Sequence, residues 1–510
     1  VGAPGLTADA AAALDAAIAA HRAGRAAEAD AAYAAVLAAV PGHAQALRLR
    51  GILKRDLGDL AASASLLRRA AELAPQSADA LAELALTHLA AGDLELAESA
   101  LRRARGRGPA PKALANLGAV LQYRGHLAEA EALYREYLAL DPADGEIRCN
   151  LITTLLDAGQ GDAALAECDA GAAVAPDDPA LAAARGAVLV ALERPAEALA
   201  PLQAALAADP GDDLAAVNLA VALAATGDDA AAAEVLAAAL ARNPDNARAT
   251  ADLMSLRAGV GQPGAAVDLG RAFLARYPGE RLVAGALGYA LWDAGADAEA
   301  AVLLGTGAAG EALVQVFDAD ALAGPAPDAA AVARRIASDP ALLRAPVTKS
   351  TRGGGQTGEF WLHRERELAP LDARFRAAAK AWTDRVAAAG LAGEPVLTGS
   401  VADCTLRAWG TWLPAGGRQL PHQHPLGFLS AVAYVAVPDE LAAGGDPAAG
   451  WLEFGPPPPR YRFRRPVPAR RVEPRPGRVA VFPSYLYHGT RPFTAAGERV
   501  SVAVDVMPRR

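Results

Sequence analysis

Two patterns of apolar and polar positions succeed each other along the chain. Over roughly residues 8–310 the apolar positions follow a helical period, and beyond Val347 they alternate along short runs, as in strands. Between the two, Gly324-Pro325-Ala326-Pro327-Asp328 breaks the pattern before a short helical stretch, Ala329 to Ile336. This places a helical domain at 8–310, a connecting helical segment at 311–345 and a further domain at 346–510. Within the last, Pro370 to Ala389 predicts a helix. Strands are expected at Ala402–Trp409, Leu426–Val437, Trp451–Phe454, Arg478–Pro483 and Arg499–Val506, separated by Gly- and Pro-rich turns. An antiparallel double-sheet barrel fits that series, and its mouth is where residues from separate strands converge.

The helical part repeats. Prolines stand at Pro41, Pro75, Pro109, Pro142, Pro176, Pro210, Pro244 and Pro278, 34 residues apart except for one step of 33. A second register runs through Gly24, Gly58, Gly92, Gly125, Gly159, Gly227, Gly261 and Gly295, with Glu193 where one more glycine would fall. Five residues after each comes a small residue: Ala29, Ser63, Ala97, Ala130, Ala164, Ala198, Ala232, Ala266 and Ala300. Glycine turns the chain between two antiparallel helices, the small residue lets them approach, and proline ends the unit.

These features resemble the tetratricopeptide repeat family, with about nine helical hairpins. Such hairpins stack into a superhelix with a concave surface, which implies a protein or peptide partner. One repeat position carries Asn116, Asn150, Asn218 and Asp252, interrupted by Ala184. Such a ladder can present donors and acceptors to an extended peptide backbone, or it can bond within and between neighbouring repeats; both readings stand.

Composition adds limits. Apolar residues make up 53% of the chain, largely alanine, and aromatic residues only 5%, as close-packed helices require. A net charge of −9 lacks the basic surface of a nucleic-acid binder. Cys149, Cys168 and Cys404 form no metal-type cluster, and such sparse cysteine use is what a reducing compartment tolerates, so a cytoplasmic location is expected. Neither a signal peptide nor a membrane span is expected. The run Arg352-Gly353-Gly354-Gly355-Gln356-Thr357 lacks the lysine of a phosphate loop. The arginine-rich stretch Arg460 to Arg478 reads as the solvated face of a hairpin in preference to a magnet for an acidic substrate.

The candidate chemistry lies in the last third. In His422-Gln423-His424-Pro425 the two histidines share one side of an extended segment, and Pro425 keeps His424 out of the helical region. His488 follows a strand and closes a three-ligand face. Eleven residues later, Arg499 and Ser501 share a strand face, where a guanidinium fork and a hydroxyl suit the distal carboxylate of a keto acid. A structural ion pair of Arg499 with Asp505 or Glu498 is the alternative.

Taken together, the glycine-rich 352–357, Pro421–Pro425 leading into Leu429–Val435, Gly450–Phe454 and Phe482–Thr490 resemble the 2-oxoglutarate- and Fe(II)-dependent oxygenase domain often fused to tetratricopeptide repeats. The resemblance implies an α+β multidomain chain with an all-α superhelix first and a double-stranded β-helix (jelly-roll, cupin-like) with flanking helices after it. It implies Fe(II) on His422, His424 and His488, and 2-oxoglutarate on Arg499 with Ser501 and Tyr434. The wider superfamily has a carboxylate where His424 stands; Glu453, Asp439 and Asp505 are the other carboxylates to weigh. The implied activity is that of a dioxygenase hydroxylating a protein or peptide recruited by the repeats. The alternatives are a non-catalytic scaffold with a metal- or ligand-binding β-domain, and a cupin-like enzyme that does not use 2-oxoglutarate.

Overall fold

The computed structural model describes residues 8–107, 111–344, 349–402, 404–439, 441 and 446–508. Pro109 of the proline series, Val347 and the expected junction at 345–346 lie outside the described residues.

The chain divides into two compact units between Leu151 and Ile152. In the first, helices pair as α1 (Ala8–Arg22) with α2 (Ala26–Ala39), α3 (Ala44–Asp56) with α4 (Leu60–Leu73), α5 (Asp79–Ala90) with α6 (Leu94–Arg105), and α7 (Pro111–Tyr123) with α8 (Leu127–Leu138). Helix α9 (Gly145–Asp157) runs across the division and is followed by α10 (Gly161–Val174). The second unit continues with α11 (Pro179–Ala191) and α12 (Pro195–Ala208), α13 (Asp213–Ala225) and α14 (Asp229–Arg242), α15 (Ala247–Gly259) and α16 (Pro263–Arg276), and α17 (Arg281–Asp293) and α18 (Asp297–Leu304).

The two sequence registers have direct structural counterparts. All nine small residues, from Ala29 to Ala300, are fully buried on the second helix of their hairpins, Ser63 included. The Ser63 hydroxyl is satisfied by Thr87 Oγ1 at 2.8 Å, so its burial leaves no orphan. The turn glycines have φ between +71° and +94°, and Glu193 takes the same left-handed turn at φ +58°. An L side chain is strained there by roughly 1–2 kcal/mol. We expect Glu193→Gly to stabilise the chain by about 0.5–1 kcal/mol, after glycine's greater freedom when unfolded is subtracted, read as a higher urea midpoint.

After α18 the second unit changes character. Helix α19 (Gly307–Leu313) leads into β1 (Gln315–Phe317), and α20 (Ala329–Ala337) precedes β2 (Leu343–Arg344), β3 (Thr351–Arg352) and β4 (Gly355–Phe360). Helix α21 (Ala369–Ala388) is followed by β5 (Cys404–Pro414), β6 (Arg418–His422), β7 (Leu429–Ala436), β8 (Leu452–Phe454), β9 (Arg470–Val472), β10 (Val479–Pro483), β11 (His488–Thr490) and β12 (Glu498–Pro508).

The strands form two antiparallel sheets. One has the order β1-β10-β7-β12-β5-β4-β2 and the other β3-β6-β11-β8-β9. Strand β12 shows how the sequence selects the faces. Val500, Val502, Val504 and Val506 are buried in a core shared with Trp382 and Phe375 of α21 and Ile336 of α20. The other parity, Arg499, Ser501, Ala503 and Asp505, turns to the opposite face, where Asp505 meets a histidine of the candidate site. Among the described residues, no helix is long and apolar enough to cross a membrane.

Candidate metal centre

His422 ends β6 and His488 begins β11, and the two are register partners across the ladder. His424 lies in the loop after β6, its main-chain N–H donating to Ser484 O at 2.8 Å. The ring centroids are 4.3 Å apart for His422 and His488, 4.9 Å for His422 and His424, and 5.2 Å for His424 and His488. One nitrogen from each ring lies within 4.8 Å of the others.

The hydrogen bonds decide which nitrogen faces inward. Nδ1 of His422 is 2.8 Å from Leu420 O, and Nδ1 of His488 is 2.9 Å from Leu486 O. A carbonyl only accepts, so each Nδ1 carries the proton and each Nε2 keeps its lone pair. Nδ1 of His424 is 2.7 Å from Asp505 Oδ1, which also accepts from Ser430 Oγ at 2.7 Å. The same logic leaves the Nε2 of His424 as a donor to a cation. Burial, reinforced by the neighbouring His424, pushes His422 down to about 3, and burial with both neighbours holds His488 well below the ordinary imidazole range. Those two rings are neutral near neutral pH, the form in which an imidazole can hold a cation.

Aromatic groups wall this cluster. Phe482 lies 4.6 Å from the His488 ring and Trp409 lies 5.3 Å from the His424 ring. None of the alternative carboxylates joins the three imidazoles: Glu453 bonds Arg471 at 2.8 Å and Arg491 at 3.3 Å, and Asp439 is exposed. Asp505 stands behind His424, not beside its Nε2.

Arg499 is 1% exposed, and its Nε and Nη1 have no hydrogen-bond partner. The ion pair with Asp505 does not form, because that carboxylate is turned to His424 and Ser430. The Arg499 Cζ lies 5.0 Å from the centroid of Tyr434, whose hydroxyl is likewise buried without a partner. Ser501 is buried beside them, in register with Tyr434 on one side and Thr411 on the other. Burial lowers the Arg499 guanidinium pKa and raises that of the Tyr434 phenol, and each group partly offsets the shift of the other across their mutual contact. Guanidinium still does not give up its proton in proteins, so a buried fork and a phenol hydroxyl are left with unmet bonding capacity. A carboxylate is the complement of that set.

Asn116 is on α7, Asn150 on α9, Asn218 on α13 and Asp252 on α15, each on the first helix of its hairpin. Asp252 bonds Arg248 Nε at 2.7 Å and has Arg460 at 3.9 Å. The arginine-rich stretch departs from the expected hairpin face. Residues 460–465 form no strand and run along α15 and α17, where Arg462 N donates to Ser255 and Arg464 N and Arg465 N donate to Asp293. Alternating arginine and aromatic residues imitate a strand, but here the backbone partners come from helix side chains.

Sequence reasoning missed the roles of Asp505, Ser430, Trp409 and Phe482. Asp505 left a signal, since it shares the parity of Arg499 and Ser501 on β12. Gln423, between the two histidines, has its side-chain oxygen and nitrogen both buried without partners.

Comparison with known proteins accords with this geometry. Residues 407–505 match the family model described as Putative 2OG-Fe(II) oxygenase. Residues 14–78, 48–112 and 82–145 match one tetratricopeptide repeat model, and 121–188 and 189–255 another. One chain thus carries tetratricopeptide repeats and a domain of the 2OG-Fe(II) oxygenase type.

Among solved structures it is similar to YrrB, described as a TPR protein with an unusual peptide-binding site (20% identity, TM-score 0.32, 36% of this chain and 95% of that one). It is also similar to a tetratricopeptide repeat protein from Parabacteroides merdae (19%, 0.38, 45% and 91%) and to pilF of Pseudomonas aeruginosa (22%, 0.34, 40% and 94%). No curated protein matches the chain.

Proposed function

We propose that this chain is an Fe(II)- and 2-oxoglutarate-dependent dioxygenase that hydroxylates a protein or peptide recruited by its repeats. In this reading residues 8–310 are the recruiting domain, 311–345 the connector and 346–510 the oxygenase domain, with β1 of the connector extending the larger sheet. A cytoplasmic location belongs to the same proposal. It suits a metal that must be kept in its reduced Fe(II) state, and no disulfide joins the described cysteines.

His422, His424 and His488 would hold the metal through Nε2, each ring fixed by its Nδ1–H. Arg499, with the Tyr434 hydroxyl and Ser501, would hold the distal carboxylate of 2-oxoglutarate. Fe(II) and 2-oxoglutarate, when bound, supply the oxidation, in which the keto acid becomes succinate and CO2 and one atom of O2 enters the substrate. The chain's own part is to orient the cosubstrate and to exclude water with Trp409, Phe482 and Phe454, whose ring lies 6.1 Å from that of His488. Asp505 returns, through the His424 hydrogen bond, part of the negative charge that a direct carboxylate ligand would have brought.

The observation that carries this reading is the buried guanidinium of Arg499 with two partnerless nitrogens. A scaffold, or an enzyme with no acidic cosubstrate, gives no reason to keep a cation in that state. The test is calorimetric titration of 2-oxoglutarate under anaerobic conditions with Fe(II) present. Binding is expected, and it should vanish when His422, His424 and His488 are all changed to Ala. Absence of binding to the intact loaded chain sinks the proposal.

A further inference from the structure

The segment between β8 and β9, residues 455–469, is far longer than its position demands. The two strands are antiparallel neighbours, and such pairs usually close with loops of about 2–5 residues. Its sequence begins Gly455-Pro456-Pro457-Pro458-Pro459 and continues Arg460-Tyr461-Arg462-Phe463-Arg464-Arg465-Pro466-Val467-Pro468. Consecutive prolines hold an extended chain with little entropy left to lose and offer no N–H groups of their own.

The backbone groups of this segment are read by side chains of the last repeats. Tyr289 Oη donates to Gly455 O at 2.8 Å, and Trp292 Nε1 donates to Pro466 O at 3.1 Å. Between them Arg462 N donates to Ser255 Oγ at 2.7 Å, while Arg464 N and Arg465 N donate to the two oxygens of Asp293 at 2.9 and 2.7 Å. The side chains are read as well. Phe463 stacks on Tyr289 at 5.1 Å, Arg465 lies over Trp292 at 4.0 Å and pairs with Asp297, and Arg462 lies 3.6 Å from Asp229. A Cβ at Gly259 would collide with Arg462, so α15 keeps a glycine where the segment crosses its end.

This is how an extended peptide is recognised in trans: backbone bonds for affinity, alternate side chains for specificity. We propose that residues 455–466 are a tethered ligand of the last three repeats, and that this face is a receptor for an extended, proline-flanked peptide rich in arginine and aromatic residues. A protein partner carrying such a segment exchanges with the tethered one. Tyr487, next to His488, donates to Tyr461 Oη at 3.1 Å, so exchange is felt one residue from the metal centre. The proposal rests on the reading of the repeats as a recruiting face and not on the metal chemistry, so it is tested on the metal-free chain of residues 1–510 and stands apart from the cosubstrate titration.

The probe is a fluorescent peptide of residues 455–468, followed by anisotropy. A tethered ligand competes at an effective concentration in the millimolar range, so the intact chain should bind the peptide weakly. The variant R462A/F463A/R465A, which weakens the tethered copy at side chains that are at most partly buried, should bind it about tenfold or more tightly. Adding Asp293→Asn should remove that gain. No gain, a gain insensitive to Asp293→Asn, or equal binding of a scrambled peptide of the same charge overturns the proposal. Hydrogen exchange on the intact chain decides independently of how the variant folds. Millimolar peptide should speed exchange at the Arg462, Arg464 and Arg465 amides about tenfold, and unchanged exchange overturns the proposal.

Discussion

Arg499→Met is expected to abolish 2-oxoglutarate binding while raising the thermal midpoint of the ligand-free chain. The two effects have one cause. A guanidinium that is 1% exposed, with Nε and Nη1 unpartnered and the Tyr434 ring beside it, is a charge taken out of water with little compensation. Methionine has a similar reach and no charge, and even a paired buried charge replaced by apolar groups of similar volume often gains about 1–4 kcal/mol, so a gain of that order is expected here. With 2-oxoglutarate present the sign reverses. The fork that would meet the distal carboxylate is gone, and truncating one partner of a buried charge pair costs about 2–5 kcal/mol, at least tenfold and up to several thousandfold in affinity. Differential scanning with and without 2-oxoglutarate separates the cases: the parent chain gains a ligand-dependent shift, and the variant starts higher and shows none. A variant that is less stable than the parent and still binds the keto acid makes Arg499 a structural residue. Arg499→Lys sharpens the comparison, because it keeps the charge and loses the planar fork.

Legibility in the sequence followed the range of the interactions. The repeat half is built from contacts within one hairpin or between neighbours, so its turns and close approaches recur every 34 residues and Glu193 betrays its φ by position alone. Strands β7, β10 and β12 were readable because long apolar runs or alternation mark a buried sheet. The strands that carry His422 and His488 were not: β6 has 5 residues with Pro421 inside, and β11 has 3 with Gly489 at its centre. Their histidines were found by chemistry, not by strand pattern. Strand β1 pairs with β10 from more than 160 residues away, and three residues hold no period to recognise. The segment at 460–465 misled for the same reason. Its local alternation is that of a strand, and only the distant Ser255 and Asp293 show that its backbone partners are side chains of helices.

The chemistry of a three-histidine centre turns on Asp505. Three neutral ligands would leave a divalent cation with its full charge, and a carboxylate, that of Asp505, lies 2.7 Å from His424 Nδ1. Asp505→Asn keeps the size, the hydrogen bond from Ser430 and an oxygen that can still accept from His424, so ring orientation survives while the charge is lost. Partners of this kind are worth about 10–100-fold in metal affinity, and that loss is expected for Asp505→Asn, measured by competition with a chelator of known affinity. Asp505→Ala should lose more, because the His424 ring is then free to turn and its tautomer is no longer set. Ser430→Ala should lose little, since it removes only one of the two bonds to the same oxygen. If Asp505→Asn binds metal like the parent while Asp505→Ala does not, orientation alone accounts for the residue, and the missing charge of the site is not restored through His424. If both bind like the parent, the His424 ring is held by its loop, through the main-chain bond to Ser484 and the packing against Trp409.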